Sequence, residues 1–213
     1  MHPDIRTYGR LRGRMPQTWP FALDNPPSWF IQASAHTPII LPPHEEIILE
    51  VGCGMGDSLW ALCHDHPQIM FIGVEIYQPG LIKLAQRMHD NPIHNLLIIQ
   101  GDILTVLPHI PHASLTRIHV FFPDPWPKVR HHKRRLHRGP FFKRLQPTLQ
   151  PSGRIHLATD IEEYALDWHK HTPSTWQLHL DDVWIAHRRN TKYEARGQRL
   201  GHTITDYVYS THP

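Results

Sequence analysis

The chain has 213 residues, with 22 Lys and Arg against 19 Asp and Glu, and 20 His, for a formal net charge of +3 at pH 7 with histidine neutral. That length suits one domain with a substantial core. The modest charge understates how basic some surfaces become when histidines protonate, so an anionic partner is allowed but not demanded.

Two cysteines, Cys53 and Cys63, are too few and too close for a disulfide framework, which fits a reducing compartment. The N-terminal stretch lacks the apolar core of a signal peptide, and no apolar run approaches the roughly 20 residues that span a bilayer. A soluble, cytoplasmic protein without membrane contact is expected. Residues 1–46 carry Arg6, Arg10, Arg12 and Arg14, many prolines and no sustained period, which predicts a basic N-terminal arm followed by an irregular lead-in.

From residue 47 to 213 the pattern becomes that of one α/β domain. Short apolar runs, "IILEVG" (47–52), "FIGVEI" (71–76), "NLLIIQ" (95–100), "RIHVFF" (117–122) and "GRIHLATD" (153–160), alternate with amphipathic segments near 57–65, 79–90, 137–148 and 161–171. Runs apolar on both faces read as parallel strands, with the segments between them as crossover helices. The alternation predicts a Rossmann-like, doubly wound, mostly parallel sheet. "WQLHL" and "TDYVYS" near the end predict two final strands, forming an antiparallel edge pair. The histidines are scattered, and pairs such as His132 and His137 miss the i, i+4 spacing of one helix face, so no metal site is expected.

"LEVGCGMGD" (49–57) sets Gly52, Gly54 and Gly56 directly after a strand and before a helix, where glycines permit tight turns and close approach of a ligand to the backbone. The dinucleotide fingerprint would need a glycine at 57, which is Asp57. The turn therefore favours a nucleoside ligand lacking a pyrophosphate, without excluding NAD. Glu50 ends the first of these strands, Glu75 lies near the end of the second, and Asp102 just follows the third. Ligands of open parallel sheets bind outside the carboxyl ends of the strands, so these acids should share one crevice. S-adenosylmethionine suits it: Glu75 for the ribose diol, Asp102 for the adenine amino group, and Glu50 for the cationic methionine end.

"FFPDPWPKVRHHKRRLHR" (121–138) follows the fourth of these strands. Prolines flank Asp124, Trp126 offers a flat face, and Lys128, Arg130, Lys133, Arg134, Arg135 and Arg138 form a run suited to phosphates. Here the sequence closely resembles the bacterial single-subunit tRNA (guanine-N7)-methyltransferases, class I enzymes that use S-adenosylmethionine. The resemblance is carried by "LEVGCGMGDS", "GVEIYQPG", "FFPDPWPKVRHHKRRL", "ATDIEEYA" and "TKYEARGQRLGH", which cover most of the chain from residue 47 in order. The glycine turn is generic to methyltransferases, whereas "FPDPWPK" with its basic extension, and "TKYE", are specific.

The resemblance implies methyl transfer to guanosine 46 of the tRNA variable loop. It implies Glu50, Glu75, Asp102 and Asp124 near the cofactor, with Asp124 catalytic. It further implies Lys128, Asp160, Thr191, Lys192, Tyr193 and Glu194 as guanine or tRNA contacts, and Arg130, His131, His132, Lys133, Arg134 and Arg135 as an RNA-binding run. The partner it implies is tRNA, with no obligatory protein partner. Two other readings stay open: an RNA-binding protein on the same scaffold without catalysis, and an amino-group methyltransferase, whose D/N-P-P-Y motif "PDPW" matches only loosely.

Overall fold

The computed structural model describes residues 18–34, 37–188, 194, 197 and 199–211. In chain order the strands are β1 (Phe30–Gln32), β2 (Ile47–Val51), β3 (Met70–Glu75), β4 (Leu96–Gln100), β5 (Leu115–Phe121), β6 (Leu149–Thr159), β7 (Gln177–His179) and β8 (Thr205–Ser210). They form one sheet in the order β1-β4-β3-β2-β5-β6-β8-β7. Pairing is parallel from β1 through β6 and antiparallel where β8 joins β6 and β7. The helices are α1 (Asp57–Asp65), α2 (Gln78–Asp90), α3 (Ile103–Val106), α4 (Phe141–Leu145), α5 (Glu162–His171) and α6 (Val183–His187).

The continuous apolar runs are explained by burial on both faces. Successive side chains of a strand point to opposite sides, so Ile48, Phe71 and Ile98 pack with Leu59 and Leu62 of α1 and Leu81 and Leu84 of α2. Their neighbours Leu49, Ile72, Ile99 and Val120 pack with Leu104 of α3, Phe141 and Leu145 of α4, and Tyr164 and Trp168 of α5. Two helical layers over one sheet make the fold doubly wound, as the sequence pattern predicts.

The strand order reverses at β2. From there the chain proceeds through β3 and β4 in one direction and continues with β5 and β6 in the other. A crevice opens at such a switch point, at the carboxyl ends of the strands. The segments leaving β2 and β5 are the glycine turn and the Asp124 turn, so both emerge beside it.

Three local features differ from the sequence reading or extend it. The expected helix over 137–148 is broken into a 3-10 turn at Leu136–Arg138, α4, and a second 3-10 turn at Gln146–Thr148, because Pro140 and Pro147 supply no amide hydrogen. Within the lead-in, β1 pairs with β4 at Phe30↔Ile98. It is backed by an aromatic cluster in which Trp19 meets Phe30 at 4.8 Å and Phe21 meets Trp29 at 5.4 Å between ring centroids. A three-residue strand is too short to produce a period. At the other end the antiparallel pair forms as expected, with β7 on the edge and β8 lodged between it and β6.

Candidate functional site at the carboxyl end of the sheet

Gly52, Gly54 and Gly56 all adopt left-handed conformations, with φ of 75°, 57° and 71°, which a side chain would disfavour. Their surroundings differ. A Cβ on Gly56 would strike Leu84 at 2.6 Å, so that glycine allows α1 and α2 to close together. Nothing lies within 4 Å of a Cβ placed on Gly52 or Gly54, so the turn leaves open space over its own backbone. From the other side, Gly80 near the start of α2 abuts the Gly54 carbonyl, where a Cβ would sit 2.6 Å from the oxygen.

Glu75 holds this turn in place. Its Oε2 accepts from the Gly54 N–H at 2.8 Å, and its Oε1 from the N–H groups of Ile76 and Tyr77 at 2.7 Å each. Three amide donors fix the plane of the carboxylate. Glu50 is the opposite case. It is 4% exposed, and its Oε2 has no hydrogen-bond partner. Burial, reinforced by the charge of Glu75, raises its pKa to about 7. A buried oxygen without a donor, beside an open backbone cradle, fits a cationic ligand group.

Asp124 belongs to the same field. Its side chain is exposed, yet enough protein surrounds it that partial desolvation, followed by the charge of Glu75, raises its pKa above the ordinary value. Its turn is sharply bent on both sides: Phe122 and Trp126 have φ of 49° and 44°. A non-glycine residue in this region costs on the order of 1–2 kcal/mol, so the conformation needs anchors. One is the Phe122 N–H donating to the Ala158 carbonyl at 2.8 Å. Another is Arg135, whose Nε donates to the Pro125 carbonyl at 3.0 Å. Asp102 lies at the end of β4, where Oδ1 caps α3 through the Leu104 N–H at 2.8 Å.

The basic run forms a 3-10 helix over Val129–Arg134. Lys128, Arg130 and Lys133 are exposed. His131 stacks on Trp126 at 5.8 Å with the planes 7° apart, and the Arg134 guanidinium lies 5.0 Å from the same ring centroid. Local burial and the charges of Arg134, Arg130, Lys128 and Lys133 hold the His131 imidazole below its usual pKa. Arg135 departs from the run: it is 1% exposed and points inward, and the expectation that it faces RNA is corrected accordingly. Its Nη1 meets Asp167 Oδ2 at 2.9 Å, and its Nη2 meets Glu163 Oε1 and His132 Nε2, each at 3.0 Å.

Asp160, at the end of β6, is half-buried and accepts a contact from His202 Nδ1 at 3.1 Å. Gly197 lies so close that a Cβ there would come within 2.8 Å of Asp160 Oδ2. Glu194 is buried and paired with Arg188. Arg188 also forks onto both carboxylate oxygens of Asp206, at 2.9 and 3.1 Å, and its guanidinium lies 5.7 Å from the Phe122 ring centroid. Sequence reasoning missed Arg188; the only signal was an arginine three residues before the "TKYE" segment. Thr191, Lys192 and Tyr193 lie outside the described residues. The His137–Asp167–His171 grouping has ligand-like spacing, but Asp167 is already bonded to Arg135 and Arg138, and those two guanidinium charges oppose a cation there.

Residues 44–207 match a family model described as "Putative methyltransferase". A tRNA (guanine-N(7)-)-methyltransferase of Edwardsiella ictaluri (strain 93-146) is 37% identical over 218 residues, covering 96% of this chain and 91% of that protein. One from Nitrosomonas eutropha (strain DSM 101675 / C91 / Nm57) is 41% identical over 169 residues, covering 76% of this chain and 75% of its own. Among solved structures, the 16S rRNA methyltransferase KamB superposes with a TM-score of 0.57 at 15% identity, covering 80% of this chain and 89% of its own. A mutant 16S rRNA (adenine(1408)-N(1))-methyltransferase from Catenulisporales acidiphilia, solved with cosubstrate SAM, gives 0.55 at 16% identity, covering 80% and 86%. At such identities these two structures establish the fold alone.

Proposed function

Since the chain belongs to the family of tRNA (guanine-N7-)-methyltransferases, we propose that it methylates N7 of a tRNA guanosine, at position 46 of the variable loop, to give 7-methylguanosine. One observation carries the assignment of the site: the crevice at the strand ends, with its glycine cradle and unpaired Glu50 oxygen, adjoins the Asp124 turn, and the exposed cations begin immediately beyond that turn.

S-adenosylmethionine, when bound, supplies an electrophilic methyl on a sulfonium. Glu75, fixed by three amides, accepts from one hydroxyl of the ribose diol through the one acceptor site left on Oε2. Glu50 faces the cationic methionine end, and Asp102 the adenine amino group. Gly52 and Gly54 leave the space into which the ligand fits, while Gly56 and Gly80 hold the surrounding helices close.

Guanine N7 carries an in-plane lone pair and no proton, so the reaction needs no general base and positioning dominates. Asp124 accepts hydrogen bonds from guanine N1 and N2, which selects guanine over adenine. Its charge also stabilises the positive charge that develops in the purine as the methyl arrives. Lys128, Arg130, Lys133 and Arg134 hold phosphates, with His131 and His132 beside them, and so separate RNA positioning from base recognition. Asp160 and the Thr191–Tyr193 segment contribute contacts from the C-terminal side, and Glu194, enclosed against Arg188, supports them through that pair. A tRNA substrate fits a cytoplasmic enzyme, and among the described residues no helix is long and apolar enough to cross a membrane.

Incubation with labelled S-adenosylmethionine and unmodified tRNA, followed by nucleoside analysis, tests cofactor, substrate and atom together. Label in 7-methylguanosine at position 46 is expected. RNA binding without label transfer would instead support a binding protein, and label on an exocyclic amine would support an amino-group methyltransferase.

A further inference from the structure

Within a run of solvent-facing cations, Arg135 is the one whose guanidinium is wholly enclosed. Its donors go to the Pro125 carbonyl, to Asp167 and Glu163 on α5, and to His132, and its Cζ lies 5.5 Å from the Tyr164 ring centroid. Pro125 directly follows Asp124, in a turn whose left-handed Phe122 and Trp126 would relax if released. The Arg135 fork ties the chain just beyond Asp124 to a regular element, α5, while Phe122 is tied to β6 on the near side.

On this basis, and resting on the reading of Asp124 given above, we propose that Arg135 is a positioning residue for methyl transfer: it latches the Pro125 carbonyl to α5 and thereby fixes where the Asp124 carboxylate sits. Lysine cannot replace it. A single ammonium keeps the charge but cannot reach the carbonyl and two separate carboxylates as a planar fork does.

The test compares wild type with Arg135→Lys and Glu163→Gln, and uses Arg130→Gln as the phosphate-contact control. Single-turnover methylation at saturating tRNA and S-adenosylmethionine gives the rate constant and amplitude, and anisotropy titrations give the tRNA affinity and its salt slope. A displacement of about 1 Å costs on the order of 10²-fold in rate. Arg135→Lys is therefore expected to lower the rate constant at least about tenfold, with tRNA affinity within about twofold of wild type and the salt slope unchanged. Glu163→Gln, altering a mostly exposed partner, should lower the rate constant in the same way but less, and it keeps the idea testable if the lysine variant does not fold.

A variant that merely unfolds in part loses amplitude and keeps its rate constant, which would overturn the proposal. So would a wild-type rate constant combined with weakened tRNA binding and a salt slope flattened as much as in Arg130→Gln, because Arg135 would then be one more phosphate contact. A wild-type protein that transfers no methyl to tRNA would instead refute the functional reading beneath it.

Discussion

Glu50 permits a quantitative test that does not require the RNA. Its pKa is about 7 in the folded protein, against an ordinary value of 4.5, with burial as the main cause and Glu75 second. The folded state therefore holds the proton more tightly than the unfolded chain. For an acid shifted in this direction the stability contribution is intact below pH 4.5 and is lost as pH rises through 7, because the native state must then keep an unsolvated charge. The gap corresponds to about 3 kcal/mol. Glu50→Gln preserves the shape and removes the ionisation. The variant should match wild type near pH 4.5 and exceed it by up to about 3 kcal/mol at pH 8, a rise in melting temperature of roughly 6 to 12 °C for a chain of this size. Chemical denaturation across that pH range, on protein free of cofactor, reads the difference directly. The reasoning fails if the stability difference between the two proteins does not change with pH from 5 to 8. The same variant should bind S-adenosylmethionine more weakly, so that stability and binding move in opposite directions.

Asp124→Asn should lower the single-turnover rate on the order of 10²-fold, the scale of losing one group that stabilises developing charge. Its tRNA affinity should change little, because phosphates supply most of that affinity; a wild-type rate would make Asp124 a turn residue and move attention to Asp160. Glu75→Gln should weaken cofactor binding by roughly 1.5–3 kcal/mol while leaving tRNA affinity unchanged, and calorimetry finding unaltered cofactor affinity in the folded variant would count against the ribose assignment. Neutralising Arg130, Lys133 and Arg134 together should reduce the slope of log K against log salt by about 0.7 to 0.9 for each phosphate that they neutralise in the wild type; an unchanged slope would mean these charges only face solvent.

The parts of the fold that could be read from sequence were those with a strong period. β2 to β6 are buried on both faces and so appear as unbroken apolar runs, and α1, α2 and α5 appear as amphipathic gaps of the right length. β1 did not show, because its parallel partner β4 lies far along the chain, Phe30 pairing with Ile98, and three residues carry no pattern. Glu50, Glu75 and Asp102 could be placed together because parallel strands bring their carboxyl ends to one edge wherever the chain runs. Arg135 was misplaced for the converse reason: composition shows a run of cations, but whether one turns inward depends on Glu163 and Asp167 on α5, well further along, whose spacing carries no signal. Arg188 was missed likewise, since its partners Asp206 and Glu194 are recognisable only once β8 lies against β6.

The two charged regions solve opposite halves of one problem. Beyond the effect of burial, the charge of Glu75 raises the pKa of both Glu50 and Asp124, so negative charge already crowds this edge of the sheet when nothing cationic is present. A ligand with an ammonium and a sulfonium relieves that repulsion, whereas a phosphate would add to it. Just past Trp126 the sign reverses, and local burial together with four cations depresses the pKa of His131. Exposed charges are screened over about 8 Å at physiological ionic strength, so each region acts locally and does not cancel the other. On the proposed function, a cationic nucleoside would be drawn to the strand ends and a polyanion to the 3-10 segment, with the Asp124 turn between them. On that proposal a negative charge at the turn would serve both ligands, favouring the sulfonium before transfer and the methylated purine after it. The turn must therefore be held rigidly against a pull from each side, and the bond from the Phe122 N–H to the Ala158 carbonyl together with the enclosed Arg135 holds it against the strain of its left-handed Phe122 and Trp126.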